Sequence, residues 1–461
     1  LRDDSPNSAF TWPIVEAIVL LTAAGPANHP IQPPPLANPR PVNWSGHDIY
    51  PDRLFHGESL RIVRHVDLWS EEGIDFEVEV PGRADAVRYT KIPLFSIWPM
   101  LLDGIVSAFS LWRAHEKFAG AISMPFRARR IVFHANTFTE GARLRGYLRL
   151  ISVTPRSHVA DIQVSDGNGN LLIHFRGWEE LCERVPPEYH QFILRPSEQY
   201  LTRDLPLEML GNPATPVAAS VATEVPFKIF ENNQELWLKT LAHVLLAPVE
   251  REEWLEMQGA TSRRVEWLFG RAAAKEAVRR FLVKYHQARW TDADIPIWPD
   301  DSGKPHPLGP WREHTAAKID LSITHTSKLI IAAVAANARI GIDVEVLGRA
   351  LSDDFTRGVF THEELELAAH TGEAPTAVLR FWCAKEAISK ALGTGIRYSP
   401  QDLRITAVDA MTGQLQIELL GQWLEPFKQF KGRKNPIHTS LFEGHAVATC
   451  LLPASLFETP E

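Results

Sequence analysis

Residues 26–41, PANHPIQPPPLANPRP, are too rich in proline for a helix or a ladder strand to run through them. Proline fixes φ and has no backbone donor, so an extended linker is the expectation there. Residues 211–226, GNPATPVAASVATEVP, mix Pro, Ala, Ser and Thr without an amphipathic period and read as a second linker. A chain of 461 residues is long for one core, and these interruptions divide it. The expected parts are the tail of a preceding domain with its linker over 1–48, a domain over 49–205, a linker over 206–222 and a second domain over 223–461. The last should fall into subdomains of about 223–340 and 341–461. The opening FTWPIVEAIVLLTAA (10–24) reads as the end of a preceding half, and the chain as part of a longer polypeptide.

Between the two interruptions the period is mostly that of strands: IDFEVEV, RRIVFHA, RLRGYLRLISV and SHVADIQV, with DGNGN as a hairpin turn before LLIHFRGW. One helix interrupts them, from about 99 to 112, with Leu101, Leu102, Ile105, Val106 and Phe109 on one apolar face. An antiparallel sheet wrapped around a central helix is an α+β layer arrangement. After 226 the pattern changes to helices alternating with strands. A long helix is expected over 263–286, strands over IDLSITHT, LIIAAVAA and RIGIDVEV, and helices over THEELELAA and VLRFWCAKEAISKALG, the last stopped by Gly393 and Gly395. DLRITAVD, GQLQIELL and HAVATCLL complete a second α+β region.

A net charge of −8 gives no electrostatic footprint for nucleic acid. The apolar run 14–24 contains Glu16 and is too short to span a bilayer, so no membrane or targeting segment is read. Cys182, Cys383 and Cys450 stand apart without metal or disulfide spacing, which suits a reducing, cytoplasmic setting.

Chemistry concentrates in three places. On the strand 339–346 side chains alternate, so Asp343 and Glu345 project side by side with Gly341, away from Ile340, Ile342 and Val344. Adjacent carboxylates suit a hard divalent ion such as Mg²⁺, and equally suit a solvated acidic edge. In FWCAKEAISKALGTG, Glu386 has Trp382 and Lys390 one turn to either side. LSITHT ends a strand in His325 among hydroxyl residues, a setting fit for phosphate oxygens or for an ordinary strand end. Arg271, Lys275 and Arg279 make a basic row, of which Lys275 and Arg279 read as a solvated helix face.

The succession LSITHT, GIDVE, FWCAKEAISKALGTG, with WLFGRAAAKEAV and SGKP upstream, resembles the surfactin-type 4′-phosphopantetheinyl transferases over about residues 223–455. The resemblance implies a two-subdomain α+β pseudodimer. It implies transfer of the phosphopantetheine arm of coenzyme A to a serine of an acyl carrier protein or carrier domain, with release of 3′,5′-ADP. Asp343, Glu345 and Glu386 would bind Mg²⁺, and Glu386 would also take the serine proton. Lys390 and His325 would hold phosphate oxygens, and Lys385 would neutralise the departing phosphate. Arg271 and Lys304 would lie at the 3′-phosphate of coenzyme A.

FHGESL followed by LFSIWPMLLDGIVSAF resembles the second half of a polyketide-synthase dehydratase, a double hot-dog fold. Asp103 stands at that family's catalytic aspartate, near a helix start. His56, in the FHG turn, reads as structural. Ser107 stands where the family has Gln or His, and the HxxxG…P motif that carries the partner histidine does not occur in the chain. The resemblance therefore implies a partial dehydratase, a dimer through this domain, and a carrier primed in cis within a polyketide or fatty-acid-like synthase. The competing expectation is a docking or dimerising module with an idle transferase.

Overall fold

The computed structural model describes residues 16–21, 30–50, 52–82, 98–114, 121–135, 137–223, 225, 230, 236–409 and 411–457. The chain forms two compact units, Leu1–Val185 and Pro186–Glu461. Among the described residues no helix is long and apolar enough to cross a membrane. Of the opening stretch 10–24, residues 10–15 and 22–24 lie outside the described ones.

The first unit is one antiparallel sheet with a helix in its lap. Its strands are β1 (Arg40–Ser45), β2 (Val63–Ser70), β3 (Gly73–Glu79), β4 (Ala121–Phe133), β5 (Arg143–Val153), β6 (Ser157–Ser165) and β7 (Leu171–Arg184). They pair in the order β1-β2-β3-β5-β6-β7-β4. The β6–β7 hairpin closes where Asp166 Oδ1 accepts from the backbone N–H groups of Asn168 and Asn170, which is why DGNGN turns the chain. Helix α1 (Pro99–Val106) and helix α2 (Ala108–Arg113) press Leu101, Ile105, Phe109 and Trp112 against Val66, Phe76, Leu148 and Phe175. Each such side chain contributes about 1.5–3 kcal/mol by leaving water. Trp69 and Trp112 lock sheet to helix, each ring N–H donating across the interface, to the Trp112 and Ser70 carbonyls.

The one long helix expected here is broken at Ser107, whose Oγ donates to the Asp103 carbonyl at 2.8 Å. A second correction concerns the linker: β1 lies within 1–48 yet pairs with β2, and Pro30 bridges Asn170. The prolines set the edge of this sheet instead of standing clear of it.

The second unit starts with helix α3 (Pro187–Leu194), so its boundary falls at 185 instead of 205. One sheet holds β8 (Arg203–Asp204), β9 (Val217–Thr223), β12 (Ile319–His325) and β13 (Leu329–Ala336) in the order β12-β13-β9-β8. Between its strands run α4 (Leu236–Leu245), α5 (Pro248–Glu256), the 26-residue α6 (Thr261–His286) and a small ribbon of β10 (Ile297–Pro299) and β11 (Pro305–Pro307). The segment read as a linker over 206–222 thus holds most of an interior strand. VAASVAT is a run of small and β-branched residues buried on both faces, so it has no alternation to betray it.

The other sheet holds β14 (Ala338–Val346), β15 (Leu403–Val408), β16 (Gln414–Leu419), β17 (Lys434–Phe442) and β18 (His445–Pro453), ordered β14-β18-β17-β16-β15. It carries α7 (Asp353–Val359), α8 (His362–Ala369) and α9 (Ala374–Leu392). Gly393, at φ 85°, ends α9 in the left-handed conformation that glycine adopts without strain. One apolar cluster joins the two sheets, with Ile331 and Ala333 from the first and Ile340, Ile342 and Val447 from the second.

The two sheets meet along β12 and β14. Asp320 Oδ2 accepts from Ile340 N at 2.7 Å and Ser322 Oγ from Ile342 N at 3.1 Å. Alternate side chains of β12 therefore satisfy the open edge of β14 that no strand pairs. That seam fixes the register of the next pair along it, Thr324 and Asp343.

Candidate active site

A cleft of about 600 Å³ opens at the top of this seam. β12 brings Thr324 and His325, β14 brings Asp343 and Glu345, and α9 brings Trp382, Glu386 and Lys390. The helical spacing explains the last three, since residues four apart share a face. Asp343 is buried and its Oδ1 accepts from Lys390 Nζ at 2.7 Å and from Thr324 Oγ1 at 3.0 Å. Lys390 also reaches the Ile342 carbonyl at 3.2 Å. Glu345 is held between Arg349 Nη1 at 2.5 Å and the Trp382 indole N–H at 3.1 Å. Phe355 packs edge-on against Trp382 and closes the outer wall.

Glu386 differs from its neighbours: among the described residues its carboxylate has no hydrogen-bond partner. Burial raises its pKa, and the charges of Asp343 and Glu345 add to that rise while Lys390 opposes it. The three carboxylates form an all-oxygen donor set, and the least compensated of them is the one a cation would relieve most. Among the described residues no group of three His, Cys, Asp or Glu side chains is drawn together at ligating distances. Lys390 and Arg349 hold two of the three carboxylates instead.

Of the residues singled out from sequence, Asp343, Glu345, Glu386, Lys390 and His325 share the cleft; Lys385, Lys304 and Arg271 do not. Lys385 is one residue from Glu386, hence about 100° around the helix, and points into the core. Its ammonium is fully buried against Glu364 at 2.9 Å and the Val359 and Pro400 carbonyls at 2.9 Å. Lys304 pairs with Asp320 at 2.7 Å beneath the seam. Arg271 stacks on Trp267 at 4.3 Å, with Glu250 3.7 Å from its Nε. Lys275 and Arg279, read as a solvated face, are buried in ion pairs with Glu250 and Asp292. An i,i+4 basic row looks the same in sequence whether water or distant carboxylates face it.

Thr324, Arg349 and Phe355 were missed. Thr324 follows Asp320 and Ser322 at a spacing of two, which marks a polar edge facing another strand; Arg349 and Phe355 carry no such signal.

Removing the buried ammonium of Lys385 should cost stability and spare chemistry. Lys385→Met leaves the Glu364 carboxylate uncompensated, an expected loss of about 3–5 kcal/mol in urea unfolding. Adding Glu364→Gln should recover much of it, and turnover below the new melting point should stay within a few-fold of the parent.

The fold and the cleft define an α+β protein in which two sheet-and-helix halves set carboxylates against cations at their seam. Residues 339–450 match the 4′-phosphopantetheinyl transferase superfamily, and residues 33–180 match the polyketide synthase dehydratase N-terminal domain. The holo-(acyl-carrier-protein) synthase of Dinoroseobacter shibae is 34% identical over 114 residues, covering 23% of this chain and 82% of that protein. That of Caulobacter vibrioides NA1000 is 34% identical over 98 residues, covering 21% and 74%. Through its C-terminal unit the chain belongs to the 4′-phosphopantetheinyl transferase superfamily. A Bacillus anthracis holo-(acyl-carrier-protein) synthase solved with CoA (3′,5′-ADP) is similar over 26% of this chain and 95% of that one, at 25% identity and a TM-score of 0.21. The dehydratase domain from the CurJ module of Curacin polyketide synthase is similar over 29% of this chain, at 22% identity and a TM-score of 0.24. The chain spans 46% of that dehydratase's length.

Proposed function

We propose that the second unit transfers 4′-phosphopantetheine from coenzyme A to a serine of an acyl carrier protein or carrier domain, releasing 3′,5′-ADP. The observation that carries this reading is the convergence of Asp343, Glu345, Glu386, Lys390 and His325 on one cleft at the sheet seam. Asp343, Glu345 and Glu386 would hold Mg²⁺, which when bound supplies charge neutralisation to a pyrophosphate. Glu386, lacking a partner, takes the proton of the serine hydroxyl directly or through a water. The serine oxygen bonds to the β-phosphorus as the bond to the departing 3′,5′-ADP breaks. Lys390, anchored by Asp343, and His325, exposed at the lip, hold phosphate oxygens as charge moves outward. Lys385, Lys304 and Arg271 stand outside the lining of the cleft, held by Glu364, Asp320 and Trp267 respectively.

The two sheets, each with its own long helix, support the surfactin-type subclass, in which both halves lie in one chain. The first unit is proposed as the aspartate-bearing half of a dehydratase, since one sheet surrounds one broken helix bearing Asp103. On this reading the carrier belongs to a polyketide or fatty-acid-like synthase, is primed in cis, and the first unit pairs with a second copy.

Mass spectrometry of an apo-carrier incubated with the protein, coenzyme A and Mg²⁺ should show one phosphopantetheine added to one serine. An unmodified carrier in the presence of folded protein would overturn the proposal and leave the idle-transferase reading, which the internal pairing of Asp343 and Glu345 favours.

A further inference from the structure

Both oxygens of Glu345 carry a partner, and the two partners differ in kind. Oε1 accepts from the Trp382 indole N–H at 3.1 Å, a neutral donor on α9 whose ring Phe355 meets edge-on at 5.0 Å. Oε2 accepts from Arg349 Nη1 at 2.5 Å, a cation supplied by the same stretch of chain as the carboxylate. β14 ends at Val346, and Gly348, at φ 79°, closes a turn in which Arg349 N donates to the Val346 carbonyl at 3.3 Å. The turn folds the guanidinium back over the strand it has just left. Exposure divides the pair: the Glu345 side chain is 15% exposed and that of Arg349 51%. The carboxylate is built into the cleft, whereas the guanidinium reaches it from solvent, where an ion pair is held weakly. Lys390 is anchored more firmly, since it bonds the Ile342 carbonyl as well as Asp343. Among the described residues the Arg349 side chain has no second hydrogen bond of that kind.

We propose that Arg349 is an exchangeable counter-ion: it holds Glu345 until a divalent cation takes that carboxylate, and then passes to the phosphate oxygens of coenzyme A. The proposal deepens the transferase reading and rests on it. A guanidinium and a divalent ion on one carboxylate repel each other, so Glu345 favours holding one or the other. A pyrophosphate entering the cleft brings acceptors that a guanidinium binds through two parallel N–H groups. Drawing Arg349 onto those oxygens frees Glu345 for the cation, and a cation on Glu345 frees Arg349 for the phosphates. Each ligand therefore raises the affinity of the other, by one and the same factor. The ion pair that would leave the cleft idle is, on this account, what couples its two ligands.

The test is calorimetry of the full chain with Mg²⁺, in the absence and presence of coenzyme A and with no carrier, so that nothing is transferred. Coenzyme A should tighten Mg²⁺ binding to the parent by about 5-fold or more. Arg349→Gln should bind Mg²⁺ alone about 5-fold more tightly than the parent, because Glu345 is uncontested. That advantage should disappear once coenzyme A is present. Arg349→Lys keeps the charge and should stay close to the parent. Arg357→Gln is the control for net charge: Arg357 pairs with Asp354 on α7 and stands outside the cleft lining, so its loss should change Mg²⁺ affinity by less than about 2-fold. An Arg349→Gln variant that binds Mg²⁺ alone no more tightly than the parent overturns the proposal. So does an equal gain in Arg357→Gln, or a gain in Arg349→Gln that coenzyme A leaves undiminished. If the parent loads an apo-carrier while any of these results holds, this proposal falls alone; a parent that neither binds Mg²⁺ nor loads a carrier takes the transferase reading down with it.

Discussion

Glu386→Gln should abolish carrier loading and at the same time make the protein more stable at neutral pH. As the proposed base for the serine proton, Glu386 would be worth about 10²–10⁴ in rate, a loss that Gln cannot restore because it accepts no proton. The stability change has the opposite sign. Burial, then Asp343 and Glu345, raise the Glu386 pKa in the folded state above its unfolded value. A carboxyl shifted upward binds its proton more tightly when folded, so its contribution is fully present below the ordinary carboxylate range and is lost as pH rises through the raised value. At pH 7 the charged side chain is therefore a liability that Gln removes. The denaturation midpoint of the variant should exceed the parent's at pH 7–8, and the gap should close as pH falls toward the ordinary carboxylate range near 4. Mg²⁺ should reverse the order, because an ion that binds the native carboxylates stabilises the parent by mass action and the variant much less. A variant less stable than the parent at neutral pH, or one that Mg²⁺ stabilises equally, would remove Glu386 from the metal and base roles together.

That trade explains which residues the sequence could disclose. Strand alternation sets Asp343 and Glu345 side by side but suits a solvated edge as well as a cation, and Glu386 joins them only through the succession of motifs that resembles the phosphopantetheinyl transferases. The fold was legible where local signals are strong: the hairpins of the first unit carry strand alternation and turn residues, and α9 ends at Gly393. What escaped depends on partners far away in the chain. Lys385 and Glu386 are adjacent letters, and only the packing of α9 decides that one meets Glu364 in the core and the other a cleft. Lys275 and Arg279 needed Glu250 and Asp292 before they could be buried. β9 escaped because a strand covered on both faces needs no polar alternation, so VAASVAT resembles a linker until β13 and β8 flank it. His56 belongs with these, since its 3.2 Å contact with Asp103 depends on Gly104, where a Cβ would stand 2.3 Å from the Ile62 Cβ, letting a helix come close.

Close backbone approach through a glycine also shapes the transferase cleft, where Gly341→Ala should be severely damaging. A Cβ on Gly341 would lie 1.9 Å from the Ala387 carbonyl oxygen and 2.6 Å from Ala391 N, so β14 and α9 touch through backbone. Overpacking against a flexible side chain costs about 1–3 kcal/mol, and here no side chain can yield, so the cost should reach or exceed the top of that range. The clash also lies between the two elements that form the site. Any relief moves α9 off β14 and carries Glu386 and Lys390 away from Asp343 and Glu345. A shift of about 1 Å is enough to lose about 100-fold in rate. Turnover should therefore fall by that factor even at temperatures where the variant is folded, and the Asp343–Lys390 contact should lengthen in its structure. Ala387→Gly should not rescue it, because the obstructing atom is the carbonyl oxygen, which glycine keeps. Gly270→Ala is the matching control. An added methyl there meets nothing within 4 Å on α6, so it should stabilise the chain by about 0.5–1 kcal/mol and leave transfer unchanged. Rescue of Gly341→Ala by Ala387→Gly would mean that side chains, and not the backbones of β14 and α9, set the spacing of the cleft carboxylates.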